Sequence, residues 1–436
     1  MILWPWALAR GWRSQPLHIR LLNAARFARS VAQGVVVTDF VLYLKWLGWK
    51  GTAIGSLLTL AVVFSVCVTL LGGIASDRYG RKAFLLGYDC VYVLGCLIAS
   101  LTTSSAWLAT CAIVALNRGS NGTAGPFAAV ERAWISQGVD ARTWTRALTT
   151  NSTLGFLGMA IGATLAMLPS LYPDAATGAP SFRIIFPVAM VPSLICLACE
   201  IRARDRHAEL AVAQDKEPDE AHVRRSENRN LRQLAIVNLL RGAGIGLVGP
   251  MTSYWFAVRF NVGPEHIAPM RAAGFLIAAV SSQISGHLGM RYGMMNVVVR
   301  LRLVSMLLIA AMPLSPNLTV AMVLYWVLTT MDRSSNGPRA AITNNLVRNK
   351  RRGFAGTVAA ISQRVTRALG PAAAGLMFDA GMLVAPFVAG ALFQGAYLYL
   401  YQRCFRDKDP LLAATAAQPS RSPRRGGAPA AAESLD

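Results

Sequence analysis

The sequence predicts an all-α membrane protein of 12 transmembrane helices in two pseudo-symmetric six-helix bundles. Three observations carry that prediction. Hydrophobic residues make up 54% of the 436 residues and charged ones 15%, against roughly 25% charged in an ordinary soluble domain. The chain therefore lacks the polar residues to cover a soluble core of this size. Apolar runs near the length that spans a bilayer, about 20 residues, recur twelve times. Finally, the second half repeats short motifs of the first in the same order.

The elements follow in chain order. Residues 1–22 read as a cytoplasmic tail: the apolar stretch Ile2 to Ala9 precedes Arg10 and Arg13, the reverse of a cleaved signal peptide. Spans 1 to 6 are expected at 23–47, 52–76, 83–102, 106–129, 147–169 and 182–201, so that 23–201 forms the first bundle. Residues 202–230 carry mixed charges and read as a cytoplasmic linker. Spans 7 to 12 are expected at 231–258, 270–289, 295–313, 318–341, 354–378 and 382–402, making 231–402 the second bundle. The Ala-, Pro-, Ser- and Arg-rich tail 403–436 reads as disordered. Helix is imposed on every span, because backbone in lipid must satisfy its own hydrogen bonds and the runs are too long for barrel strands.

Net charge is +22. In a soluble protein that would suggest a nucleic-acid partner. Here the cations cluster between apolar runs: Arg78, Arg81 and Lys82; Arg142 and Arg146; Arg291, Arg300 and Arg302; Arg348, Lys350, Arg351 and Arg352. The alternate loops at 103–106, 313–317 and 379–381 contain no Lys or Arg. This asymmetry places the basic loops, and with an even number of spans both termini, in the cytoplasm. No nucleic-acid partner is expected. The seven cysteines mostly lie in apolar runs and read as packing residues, Cys196 and Cys199 included.

The halves repeat. N-x-x-R at Asn23–Arg26 recurs at Asn238–Arg241, and R-x-S-N-G at Arg118–Gly122 recurs at Arg333–Gly337, both at one shared offset. G-x-x-x-D-R-Y-G at Gly73–Gly80 recurs at nearly the same offset at Gly286–Gly293, with Met290 in place of the acid. Two such repeats imply a binding site between them near the midplane.

The stretch Gly73-Ile-Ala-Ser-Asp77-Arg78-Tyr79-Gly80-Arg81-Lys82 resembles the loop 2–3 motif of the major facilitator superfamily, and the six-plus-six layout over roughly 20 to 405 is similar to that family's. Gly125-Pro126-Phe127 through Glu131, with Met331-Asp332, resembles a poorly characterised bacterial branch of it. Gly80 permits a tight turn, the cations hold the loop inside, and Asp77 precedes Arg81 by one helical turn. The resemblance implies that Asp77 faces the N-terminus of span 11, where a helix dipole attracts it. It also implies that the motif's arginine pairs with Glu131 at the cytoplasmic end of span 4. Gly73, Asp77, Arg78, Gly80, Arg81, Lys82 and Glu131 together would form a gating latch.

Charges inside a membrane need a reason. Span 1 carries Asp39; span 4 carries Arg118 and Asn121; span 10 carries Asp332, Arg333 and Asn336; span 11 carries Gln363, Arg364 and Arg367. Their excess positive charge suits an anionic substrate clamped by Arg118 with Arg333 or Arg364, with Asp39 or Asp332 as the protonatable group. Arg26 and Arg241 are expected near the cytoplasmic face. Tyr254 and Trp255 are expected at the membrane interface, while Tyr325 and Trp326 fit an apolar pocket equally well.

The function expected is secondary active transport of a small molecule by alternating access, proton-coupled, with an organic anion favoured. The transport alternative is proton-antiport efflux of lipophilic drugs. From another class, a transport-inactive membrane sensor competes. No P-loop, H-E-x-x-H or clustered histidine occurs, so no enzyme, cofactor or metal is expected. The partners expected are the substrate, protons and the bilayer, with a monomeric chain in a bacterial inner membrane.

Overall fold

The computed structural model describes residues 15–116, 128–135, 141–172, 181–203, 221–348 and 351–406, but not the side chains of 72–79, 128–129, 132–133, 141–146, 221–223, 282–292, 344 and 352–354. The described residues form helices joined by short turns, with no strand among them. Seven helical segments among them are long and apolar enough to cross a membrane.

The first three spans are single helices, α1 (Leu17–Trp46), α2 (Gly51–Tyr79) and α3 (Arg81–Leu101). The described residues of span 4 and its continuation are α4 (Ser105–Cys111), prolonged by a π-helical turn over Ala112–Leu116, and α5 (Ala128–Ile135). Spans 5 and 6 are α6 (Ala141–Leu165) and α7 (Ile185–Arg202). Span 7 divides into α8 (Ala221–Val248) and α9 (Thr252–Arg259), then follow α10 (Pro264–Tyr292) and α11 (Met294–Ala311). Span 10 divides into α12 (Leu318–Ser334) and α13 (Asn336–Asn345), and α14 (Arg352–Asp379) and α15 (Ala385–Phe405) complete the described helices. Helices α1, α8 and α10 start six to ten residues before their expected spans, because hydropathy detects only the apolar part of a helix. The last ten residues of the expected 202–230 linker are thus the first turns of α8.

The repeated G-x-x-x-[DM]-R-Y-G motif has a backbone cause. Gly80 and Gly293 both sit immediately before a helix, with φ of 94° and 85°, a region that side chains disfavour. This turn also corrects one expectation. Asp77 lies in the last turn of α2, which ends at Tyr79, and Arg81 begins α3, so the i, i+4 relation of a continuous helix does not hold between them.

Packing repeats as the motifs do. Helix α1 packs on α6 and α7, and α8 packs on α14 and α15; α3 packs on α7 as α11 packs on α15. Without a hydrophobic force between helices in lipid, close backbone approach drives such pairs. A Cβ on Gly162 would stand 2.1 Å from the Val31 carbonyl of α1. Helix α1 is central, 89% of its apolar window being buried, whereas α2 is mostly peripheral at 22%.

Two further pairs, α2 with α14 and α6 with α10, join the first set of helices to the second. Near the ends bearing loops 47–50 and 380–384, α2 and α14 meet so closely that a Cβ on Gly55 would lie 2.1 Å from the Pro371 carbonyl. Phe156, Met159 and Ala163 of α6 pack on Ala272, Phe275 and Ala279 of α10. Asp379 accepts hydrogen bonds from the Gly51 and Thr52 N–H groups at 2.8 and 2.7 Å and from the Thr52 hydroxyl at 2.6 Å. Lys45 donates to the Ala257 carbonyl at 3.1 Å. This end is closed.

Trp255 is fully buried, donates its indole N–H to the Leu383 carbonyl and packs on Phe256 and Phe387. Tyr254 is buried against Phe378. Both belong to the helix core and not to the membrane interface expected for them, since the break at 249–251 turns α9 inward.

Candidate functional site: a charged pocket between helices α8 to α15

The breaks in spans 7 and 10 set up the site. Broken helices are tolerated at membrane depth where the freed backbone groups find partners. The Thr252 hydroxyl donates to the Val248 and Gly249 carbonyls at 2.8 and 3.1 Å, and the Ser335 hydroxyl donates to the Asp332 carbonyl at 2.8 Å. Around them lies a pocket with about 740 Å³ of empty space, counting its open mouth. Its wall is mixed: Val248, Phe275, Ile309, Met312 and Leu328 are apolar, while Thr252, Arg271, Thr329, Asp332, Arg333 and Gln394 are polar. Tyr325 also lines it, whereas Trp326 donates its indole N–H to the Met270 carbonyl.

The charges in and around the pocket are unevenly engaged. Arg302, buried in α11, makes an ion pair with Asp332. It is no loop cation: it lies eight residues into its helix, which places it beside span 10. Arg241, expected near the cytoplasmic face, is buried and donates to Gln363 and to Asn336, the latter at 3.2 Å. Arg339 donates to Asn238, the other member of the N-x-x-R repeat, at 3.2 Å. Arg333 stands over the Phe156 ring of α6 at 5.4 Å, a cation–π contact between the two sets of helices. Arg364 donates to Thr69 of α2 at 2.9 Å, so it belongs to the α2–α14 contact. Arg118 and Asn121 lie outside the described residues.

Sequence reasoning missed Arg271. It is 4% exposed, stands over Phe275 at 5.7 Å and lines the pocket. Its charge also acts on Asp39 of α1. Asp39 is fully buried, and neither carboxyl oxygen has a hydrogen-bond partner. An ionised carboxylate in that position is costly without a partner. The signal for Arg271 was present in the sequence, an arginine inside the expected span 270–289.

The first six spans hold a second charge group, also missed. Arg29 of α1 contacts Asp89 of α3, Glu131 of α5 and Glu200 of α7. Glu131 takes its hydrogen bonds from Arg29 at 3.2 Å and Asn151 at 3.0 Å. Asp89 and Glu200 each interrupt an apolar run, which was the available signal.

Of the latch residues, Gly73, Asp77 and Arg78 have side chains outside the described residues. Lys82 donates to the Ile201 and Ala203 carbonyls at 2.6 and 2.9 Å, capping the C-terminal end of α7 where a cation is favourable. The sequence reading had no counterpart for Asp379. Burial pushes its carboxyl up, but the hydrogen bonds from Thr52 and Gly51 outweigh this and hold it below the usual carboxylate range. An acid from α14 thus caps the N-terminus of α2 at the closed end.

Repeated helix pairs, broken helices and a buried polar pocket define a polytopic membrane protein built as transporters are. The Major Facilitator Superfamily model matches residues 22–331, and the chain belongs to that superfamily. The fold is similar to a bacterial homolog of the human lysosomal transporter Spinster in an inward-facing, unoccupied conformation, with TM-score 0.72 and 14% identity over 91% of this chain and 99% of the other. It is similar to a D-xylose–proton symporter, with TM-score 0.68 and 12% identity over 88% of this chain and 97% of that one. A human organic anion transporter, MFSD10, matches with TM-score 0.58 and 15% identity over 89% of this chain and all of the other. No curated protein matches the chain.

Proposed function

We propose that the chain is a secondary active transporter that moves a small organic anion by alternating access, coupled to protons, across a bacterial inner membrane with both termini in the cytoplasm. The observation that carries this reading is the charge balance of the pocket. Asp332 is taken up by Arg302, which leaves Arg333 and Arg271 facing the pocket. A carboxylate or phosphate fits two guanidinium groups in an apolar wall. Arg118, the counterpart of Arg333 in the first repeat, is proposed as the third contact. Asp39 is the proposed proton carrier, and Asp332 becomes a holder of Arg302. With Asp39 protonated, Arg271 is released to the substrate; when the substrate leaves, Asp39 ionises against Arg271. The closed end fits an inward-facing state, and the latch at Asp77 is proposed to close the opposite end in turn.

A thermal-shift screen of purified protein at two pH values tests the reading, with organic anions and lipophilic cations as ligands. A ligand at 100 times its dissociation constant adds about 2.7 kcal/mol. Stabilisation by anions that is lost in Arg271→Gln and Arg333→Gln is the expected result. Stabilisation by lipophilic cations overturns it in favour of drug efflux. Binding without movement of the bound anion into proteoliposomes favours the sensor.

A further inference from the structure

Beside the pocket, α8, α11 and α15 enclose a group of polar atoms that the pocket does not engage. Arg241 of α8, Arg302 of α11 and Tyr397 and Tyr401 of α15 are each 4% exposed or less. The two tyrosines stand one turn apart, with ring centroids separated by 5.4 Å. Arg302 and Tyr397 act electrostatically on Arg241, and all three act on Tyr401. The four side chains therefore face one another.

What they share is donors without acceptors. Arg302 spends one terminal nitrogen on its ion pair with Asp332. Arg241 gives its terminal nitrogens to Gln363 and Asn336. The Nε–H of each guanidinium is buried and finds no acceptor among the described residues, and neither do the Tyr397 and Tyr401 hydroxyls. A buried donor left unmade bears its full desolvation cost, so four in one place call for an occupant. The charge here is one-sided as well. Arg339, half-buried on α13, also acts on Arg241 and donates to the neutral Asn238. The Gln363 and Asn336 partners of Arg241 are neutral too. Asp332, the acid acting on Arg241, is already paired with Arg302. Gln394, one turn before Tyr397, marks the border: its buried Oε1 is an acceptor, and the residue lines the pocket.

We propose that this group binds a small monovalent anion of chloride's kind, at a site separate from the substrate pocket. The anion accepts from Arg241 Nε, Arg302 Nε and the two phenolic hydroxyls, and its charge offsets guanidinium groups that have only amide partners. It ties α8, α11 and α15 together behind the pocket wall, where Arg302 already holds Asp332. All four donor atoms are closed to solvent, which limits the occupant to a small ion. Water is the rival. One water accepts two hydrogen bonds and leaves the charge unopposed, whereas chloride accepts from all four donors. The site does not depend on the substrate reading, because none of its donors comes from Arg271, Arg333 or Asp39.

The test is thermal unfolding of the purified full-length chain in detergent, with sodium gluconate replaced stepwise by sodium chloride at constant ionic strength. Gluconate is too large for an enclosed site. The melting temperature should rise with chloride and saturate. Tyr397→Phe and Tyr401→Phe each delete one hydroxyl and keep the ring. Each should move the midpoint of that rise to higher chloride, yet melt no lower than wild type in gluconate, where the hydroxyl has no acceptor to lose. Arg271→Gln, which alters the pocket, should leave the chloride response in place. Equal melting temperatures in the two salts overturn the proposal and assign the donors to internal water. A chloride response unchanged in the variant carrying both Tyr→Phe changes overturns it too, as does a response lost in Arg271→Gln, which places the ion in the pocket. A loss in the Phe variants that is the same in both salts shows a packing role and also overturns it.

Discussion

Replacing Asp379 with alanine should open the closed end of the molecule. The side chain accepts three hydrogen bonds from the start of α2, at 2.8, 2.7 and 2.6 Å. Losing a capping acceptor costs about 0.5–2 kcal/mol. Asp379 is solvent-exposed, and screening argues for the middle of that range, about 1 kcal/mol. Because the contact joins α14 to α2, the loss falls on the closed state alone. The ratio of closed to open molecules should then drop about fivefold at roughly 1.4 kcal/mol per factor of ten. Spin labels at Leu101 and Leu314 report it: they are 77% and 73% exposed and stand at matching positions of the repeat. The distance distribution should gain a longer component in Asp379→Ala. The carboxyl is held below its ordinary value, so its contribution is complete above the unfolded pKa, about 3.9, and is lost as pH falls through the lower folded value. The variant should therefore differ from wild type throughout the neutral range and converge with it only in strong acid. Identical distributions at neutral pH would refute the role of Asp379 in holding this end together.

Three further outcomes are expected. Gly55→Leu should hold the same end open, because even a Cβ there would stand 2.1 Å from the Pro371 carbonyl; a label distance unchanged from wild type counts against the close α2–α14 approach. Arg29→Gln should lower the melting temperature sharply, since breaking a buried pair by removing one partner costs about 3–5 kcal/mol; a change near zero would show that the cluster is not held by Arg29. Arg302→Leu should free Asp332 and abolish anion stabilisation in the thermal-shift screen, while Arg364→Gln, whose contact is with Thr69, should leave it in place.

The twelve spans, the repeat and the family were legible because each rests on local chemistry. Hydropathy is a property of a run of about twenty residues. A glycine at positive φ leaves its mark at one position, and Gly80 and Gly293 share it. The intramembrane charges were also visible, and Asp332, Arg333, Asn336 and Gln363 all stand in or beside the pocket network. Their partners were not visible. Arg302 was grouped with the loop cations although the expected span 295–313 already contained it, and α11 carries it eight residues past its start. Arg29 meets acids 60, 102 and 171 residues away. Asp379 caps a helix that starts 328 residues earlier in the chain. A charge in a membrane announces by its own cost that it must have a partner. Which partner it finds depends on how helices cross, and that crossing is set by close backbone contacts such as Gly55 on Pro371 and Gly162 on Val31, between residues that no local pattern connects.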